Sequence, residues 1–74
     1  MRSTMVQRVT EVVGSHPESI AHAVQNAVST ASHTVRDMKW FRVSEIEGAI
    51  NNGKVTEFRA LVRIYFDYEE KGQP

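Results

Sequence analysis

The 74-residue sequence contains no cysteine, so neither a disulfide bond nor a thiolate metal site stabilises this short chain. Its nine basic and nine acidic residues cancel, which argues against a protein that binds nucleic acid or a membrane surface through bulk charge. No apolar run approaches the roughly 18 residues of a membrane span, and residues 1–5 lack the apolar core of a signal peptide.

What remains is a foldable composition, with 41% apolar and 24% charged residues and few glycines or prolines. We therefore expect a single cytoplasmic domain over residues 1–74, with flexible ends at 1–4 and 69–74. A chain of this length buries only about 60% of its unfolded surface. Its stability is therefore expected to come from packing or from self-association.

The clearest helical pattern covers residues 17–38. Ser15 followed by Glu18 is typical of a capping box, and Pro17 is favoured in a first helical turn. Apolar residues then recur at steps of three and four, which places them on one stripe of a helix. They are Ile20, Ala23, Val24, Ala27, Val28, Ala31, Val35 and Met38.

Three further segments have the composition or the alternation of strands. We predict strands at residues 6–13, ended by Gly14, at 40–50 and at 54–68. The Asn-Asn-Gly sequence at 51–53 tolerates positive φ and predicts a hairpin between the last two strands.

The element order β-α-β-β predicts an α+β fold. A right-handed crossover makes the first two strands parallel, and the hairpin returns the third strand between them, antiparallel to both. The third strand is longer than the helix and must curl around it or project beyond it. No helix covers the second face of the sheet, and such exposed apolar area usually marks an interface. We expect on or near that face Trp40, Ile46, Ile50, Leu61 and Tyr65.

Few residues are suited to acid–base chemistry. His22 and His33 are expected to share a helix face about 16 Å apart, which is too far for one metal ion. His16, next to Pro17, is expected to cap the helix. The sequence has no Ser-His-Asp order, glycine-rich phosphate loop or metal-ligand spacing. We therefore predict neither a catalytic residue nor a metal site.

Trp40, the single tryptophan, has two interpretations. It is a core or interface aromatic, or it is a stacking platform for a planar ligand. Arg59 and Arg63 project from the third strand beside the second, and a guanidinium near an indole suits a heteroaromatic ring with carbonyl acceptors. Glu45 and Glu47 point to one face of the second strand, either as a cation or hydroxyl site or as a solvated edge.

Taken together, these segments resemble the dodecin family of small flavin-binding proteins from bacteria and archaea. The resemblance rests on the EVVGSHPES stretch, the helix ending in TVRDMKWF, the VSEIEG segment and the NNGKVTEF hairpin. It implies a curved three-stranded antiparallel sheet wrapped around one long helix, and twelve subunits that form a hollow shell. It also implies riboflavin or its monophosphate (FMN), bound in pairs at subunit contacts. Each flavin ring stacks on a tryptophan that matches Trp40.

Two positions depart from the family pattern. Many members have a glutamine on the third strand that hydrogen-bonds the pyrimidine edge of the flavin, whereas this chain has Arg59, which donates but does not accept. Several bacterial relatives have an arginine where this chain has Glu47, and a carboxylate there disfavours a phosphorylated flavin. The resemblance thus predicts a cofactor site at Trp40, Arg59, Glu45 and Glu47.

The family's role implies flavin storage, buffering and photoprotection, and we predict no enzyme activity. Two alternatives stay open at this point. One is a dodecin-like shell that binds coenzyme A or a divalent cation. The reason for this alternative is Arg59, which replaces the family's glutamine. The other is a flavin-dependent redox enzyme.

Overall fold

The computed structural model describes residues 5–69, with side chains from 6 to 68. Its elements are β1 (Met5–His16), α1 (Ile20–Ala31), β2 (Met38–Asn51) and β3 (Lys54–Glu69). β3 lies in the middle of the sheet and is antiparallel to both neighbours. The predicted β-α-β-β fold is therefore confirmed. Apart from Glu69, which ends β3, the predicted flexible ends lie outside the described residues.

The core lies between α1 and one face of the sheet. The buried helix residues are all alanines, so the helix backbone approaches the strands closely. The three fully buried residues opposite them belong to alternate positions of β3, as the alternation in the sequence predicts. These two sets are Ala23, Ala27 and Ala31 from the helix, and Ala60, Val62 and Ile64 from the strand.

Gly14 does not end β1, contrary to the prediction, because the strand continues to His16. Its missing side chain has a packing role instead. A Cβ at Gly14 would collide with the carbonyl oxygen of Ala23 and lie 2.9 Å from the Cβ of Ala27. The glycine thus allows α1 to cross β1 at close range.

The helix is shorter than the predicted 17–38, and its cap is different. Ser19 has extended backbone angles, and its hydroxyl accepts a hydrogen bond from the N–H of His22 at 3.1 Å, so Ser19 and not Ser15 is the N-cap. At the other end, the Ser32 hydroxyl donates to the carbonyl of Ser29 at 2.6 Å. Serine and threonine side chains that bond the backbone in this way compete with helix formation, which explains the end of α1 at Ala31.

At 12 residues, α1 is the one helix of the described region and is too short to cross a membrane.

The β2–β3 hairpin projects beyond the helix, which is one of the two outcomes that the strand lengths allow. β3 has 16 residues, about 53 Å in extended form, whereas α1 spans about 18 Å. The molecule accordingly measures 62 × 20 × 15 Å. Asn52 and Gly53 have φ angles of 52° and 74°, which confirms the predicted tight turn.

An irregularity in β2 decides which side chains face away from the helix. The register against β3 shifts between Val43 and Glu45, so strict alternation along β2 is broken there. After the shift Ile46 lies opposite the buried Ala60, on the helix side of the sheet, where it is 61% exposed because α1 packs on β1 and β3. No residue of β2 is skipped between Ile46 and Ile50, so Ile50, four residues further along, projects to the same side as Ile46. The expectation that these isoleucines share the face of Trp40 is wrong.

Candidate functional site

We call the side of the sheet opposite α1 the open face. Residues directly opposite each other in an antiparallel ladder project to the same face, and the open face therefore carries four successive rows across β2 and β3. Neighbouring rows are two β3 residues, or about 7 Å, apart. In order along the sheet, the rows are the pairs Trp40–Tyr65, Arg42–Arg63, Glu45–Leu61 and Glu47–Arg59.

Trp40 presents a large apolar surface on this face. It is 64% exposed, and its ring meets that of Tyr65 in an edge-to-face arrangement, with centroids 6.0 Å apart and an interplanar angle of 70°. Tyr65 is the cross-strand partner of Trp40 and contacts the indole on one side. The exposed indole area is available to stack on a planar ligand or to contact another protein chain.

The other three predicted site residues come together at the far end of the open face. Glu45, Glu47 and Arg59 line one cavity of about 90 Å³, with Val13 and Leu61 as its apolar walls. The guanidinium supplies hydrogen-bond donors and the two carboxylates supply acceptors. The set is therefore complementary to the edge of a ring that carries both carbonyl and N–H groups. The two carboxylates can accept a hydrogen bond, which the guanidinium of Arg59 cannot.

Within one chain, however, Trp40 and this cavity are far apart. Tyr65, opposite Trp40, and Arg59 are separated by six residues of β3, about 20 Å. The cavity is also smaller than the roughly 300–1,000 Å³ of sites that enclose a small organic ligand. A planar ligand that touches both Trp40 and Arg59 must therefore lie between two chains.

The remaining charged row of the open face adds Arg42, a residue that the sequence reasoning missed. Arg63, singled out from the sequence, lies beside Glu11, with its Nε 3.4 Å from Glu11 Oε2. That Nε is enclosed and has no aligned hydrogen bond to any of the described residues. Arg42, directly across from Arg63, brings a second guanidinium to the row. Arg42 could have been identified from the sequence, because it lies two residues after Trp40 and alternate residues of a strand project to the same face.

The histidines are arranged differently from the prediction. His33 lies in the turn after α1 and does not share a helix face with His22. His22 stacks on His16, with centroids 4.8 Å apart and ring planes at 26°. His16 Nδ1 accepts a hydrogen bond from the N–H of Glu18 at 3.0 Å, at the entry to the helix. Between residues 5 and 69, no three histidine, aspartate or glutamate side chains are grouped closely enough to hold a metal ion.

Comparison with known proteins gives consistent matches. The family model described as Dodecin matches residues 6–69. The dodecin of Thermus thermophilus is 35% identical over 65 residues, which cover 88% of this chain and 94% of that protein. The structure of a dodecin from Streptomyces coelicolor superposes with a TM-score of 0.85 at 40% identity, covering 95% of this chain and all of that one.

The description of a third match names a ligand, calcium. It is a calcium-chelating immunodominant antigen from Mycobacterium tuberculosis, described as a calcium dodecin with a novel calcium-binding site. Its TM-score is 0.73 at 30% identity, and the match covers 93% of this chain and 97% of that one.

Proposed function

The chain belongs to the dodecin family, and we propose that it is a non-catalytic protein that binds riboflavin in pockets shared between copies of a hollow dodecamer. FMN is the second flavin to be considered. The bound flavin would be stored, buffered and protected from light. The observation that carries the proposal is the exposed Trp40 on the same open face as the cavity formed by Glu45, Glu47 and Arg59.

Trp40 supplies the stacking surface. An indole buries a large apolar area against a planar ring, and an offset stack adds roughly 0.5–1.5 kcal/mol beyond that burial. Its 64% exposure in one chain falls when a ligand and a second chain cover it. A flavin ring held between two chains has both faces occupied, so no substrate reaches it, and this supports storage over redox catalysis.

The cavity supplies the polar recognition. Arg59 donates hydrogen bonds to the carbonyl oxygens of the pyrimidine edge, and Glu45 or Glu47 accepts from its ring N–H. The carboxylate of Glu47 also places a negative charge at the cavity. A phosphate group near it is repelled, so the cavity favours riboflavin over FMN.

Cation binding is the second candidate function. It is favoured by the two carboxylates of Glu45 and Glu47 in one cavity and by the family's calcium dodecin from Mycobacterium tuberculosis. It is opposed by Arg59, whose guanidinium borders the same cavity and competes with a cation for those carboxylates. Flavin binding is therefore the better-supported function.

The protein as isolated tests the proposal. We expect a flavin absorbance band, and extraction should release riboflavin in preference to FMN. Calcium added in excess should leave the bound flavin in place. A colourless protein that takes up calcium and no added riboflavin would favour the cation function instead, and bleaching upon addition of a reductant substrate would indicate an enzyme.

A further inference from the structure

We infer that Arg42 of one chain forms an ion pair with Glu45 of a second copy, across the two-fold contact that joins two open faces. The inference rests on the proposed function in one respect. It takes from that function the requirement that the row of Trp40 and Tyr65 in one copy lies over the row of Glu47 and Arg59 in the other. The ion pair itself follows from the register of β2 and β3.

The first observation is an uncompensated charge. Arg42 and Arg63 lie directly opposite each other, and like charges in that arrangement are unfavourable. Glu11 is placed beside Arg63, with a closest separation of 3.4 Å. Arg42 forms no ion pair with any described residue, and neither does Glu45, which lies one row further along the same face.

The second observation is the spacing of the rows. Two copies can pack with their open faces together around a two-fold axis. The relevant axis lies midway between the two sheets, is perpendicular to the strands and passes the level of Val62, so that each strand lies over the same strand of the other copy. Rotation about it exchanges residues at equal distances on either side of Val62. It therefore places the row of Tyr65 over the row of Arg59, which meets the requirement for a shared ligand.

The same rotation places the row of Arg63 over the row of Leu61. On β2, which lies over β2 of the other copy, this brings Arg42 over Glu45. By symmetry, each contact contains two such pairs. No separate adjustment is needed, because one axis satisfies both the ligand requirement and the charge requirement.

Sheet twist does not remove this pairing. The strands of two packed sheets cross at about 30°. This rotation displaces a residue of one sheet relative to the other sheet in proportion to its distance from the crossing point. The Arg42 and Glu45 rows each lie only one β3 residue, about 3.4 Å, from the level of Val62. They are thus the rows least affected by twist. Arginine also reaches far enough to adjust its guanidinium to a carboxylate.

Charge reversal in separate chains tests the pair. In Arg42→Glu each contact gains two glutamate–glutamate pairs, and in Glu45→Arg it gains two arginine–arginine pairs. We expect each variant alone to need about tenfold more protein than wild type for half assembly at low salt, since like charges at an interface oppose association. Light scattering over a dilution series of the flavin-free proteins, in urea sufficient to make the wild type dissociate, measures this concentration.

The decisive sample is an equal mixture of the two variants. In a mixed contact the two substituted residues meet as opposite charges, and the unsubstituted Arg42 and Glu45 form the wild-type pair. Assembly should therefore return to within about twofold of wild type. If Arg42 and Glu45 interacted within one chain instead, each variant chain in the mixture would keep its own like-charge pair, and assembly would not recover. Raising the salt to about 0.5 M should reduce the defect of each single variant. Lys54→Glu, at the hairpin turn away from these rows, serves as the charge-change control.

The outcomes separate this inference from the proposed function. A mixture that assembles no better than the single variants overturns the ion pair, whether or not wild type binds riboflavin. Rescue in the mixture supports the pair, and if wild type then fails to bind riboflavin, the flavin proposal alone is overturned. Circular dichroism of the Arg42→Glu and Glu45→Arg variants shows that each chain is folded before the comparison is made.

Discussion

Trp40 and Arg59 project from the same face of the sheet but lie about 20 Å apart along it, with the rows of Arg42 and Glu45 between them. A flavin ring is too short to contact both residues in one chain. In the proposed flavin site, stacking on Trp40 and hydrogen bonding to Arg59 are therefore divided between two copies. Flavin binding and self-assembly are expected to depend on each other for this reason.

The first prediction concerns Trp40. Trp40→Ala should raise the Kd for riboflavin at least about tenfold, or 1.4 kcal/mol, because both the stack and its apolar burial are lost. Trp40→Phe is the matched control, since it keeps an aromatic face and should lose less affinity. Fluorescence titration gives both constants. If Trp40→Ala binds riboflavin with the affinity of the wild type, the indole does not stack on the flavin and is an ordinary interface residue.

The second prediction concerns assembly. Large apolar side chains exposed on both sides of the sheet, among them Trp40, Phe41 and Ile50, favour association. Light scattering on the purified protein should give a closed oligomer of about twelve copies. Its unfolding temperature should rise with protein concentration, because association stabilises the folded chain by mass action. A folded monomer that persists at micromolar concentration is the contrary result.

The third prediction concerns the crossing of β1 and α1. Gly14→Ala should lower the free energy of unfolding by about 1–3 kcal/mol, because its Cβ collides with the backbone of Ala23. Gly53→Asn is the control, since a Cβ there meets no atom within 4 Å and asparagine tolerates the positive φ. Thermal unfolding at one protein concentration compares the two. Equal stability of Gly14→Ala and wild type would show that the helix moves away without loss.

The fourth prediction concerns the choice of flavin. Wild type should bind riboflavin at least as tightly as FMN, and Glu47→Arg should shift the preference toward FMN by replacing a negative with a positive charge at the cavity. The shift should shrink as salt is raised, because the cavity is partly exposed. Titrations of both flavins against both proteins at two salt concentrations measure it. An unchanged ratio would mean that Glu47 is remote from the phosphate end.

The sequence predicted the order of elements because the alternation of β3 and the Asn-Asn-Gly turn are local signals. It predicted the central position of β3 because the handedness of the crossover adds a general rule to the hairpin. It did not predict the end of α1. The apolar stripe continues through Val35, although the helix stops at Ala31, since a stripe records periodicity and not the competing bonds of nearby serines.

The sequence did not predict which of the proposed site residues lie next to one another. Strict alternation along β2 groups Trp40 with Ile46, whereas the shift after Val43 groups it with Glu45 and Glu47. A bulge of this kind depends on pairing with β3 and leaves no mark in a local pattern. The distance between Trp40 and Arg59 likewise depends on register, which only the folded sheet reveals.

Titration of the flavin-free protein with riboflavin tests the shared site most directly, with flavin emission and oligomer size followed on the same samples. We predict quenched emission that saturates at one riboflavin per chain, because the proposed site would occur twice in each two-fold contact. We also predict binding only where the protein is assembled. Unquenched emission throughout the titration of a fully assembled protein would contradict flavin binding at Trp40 and Arg59.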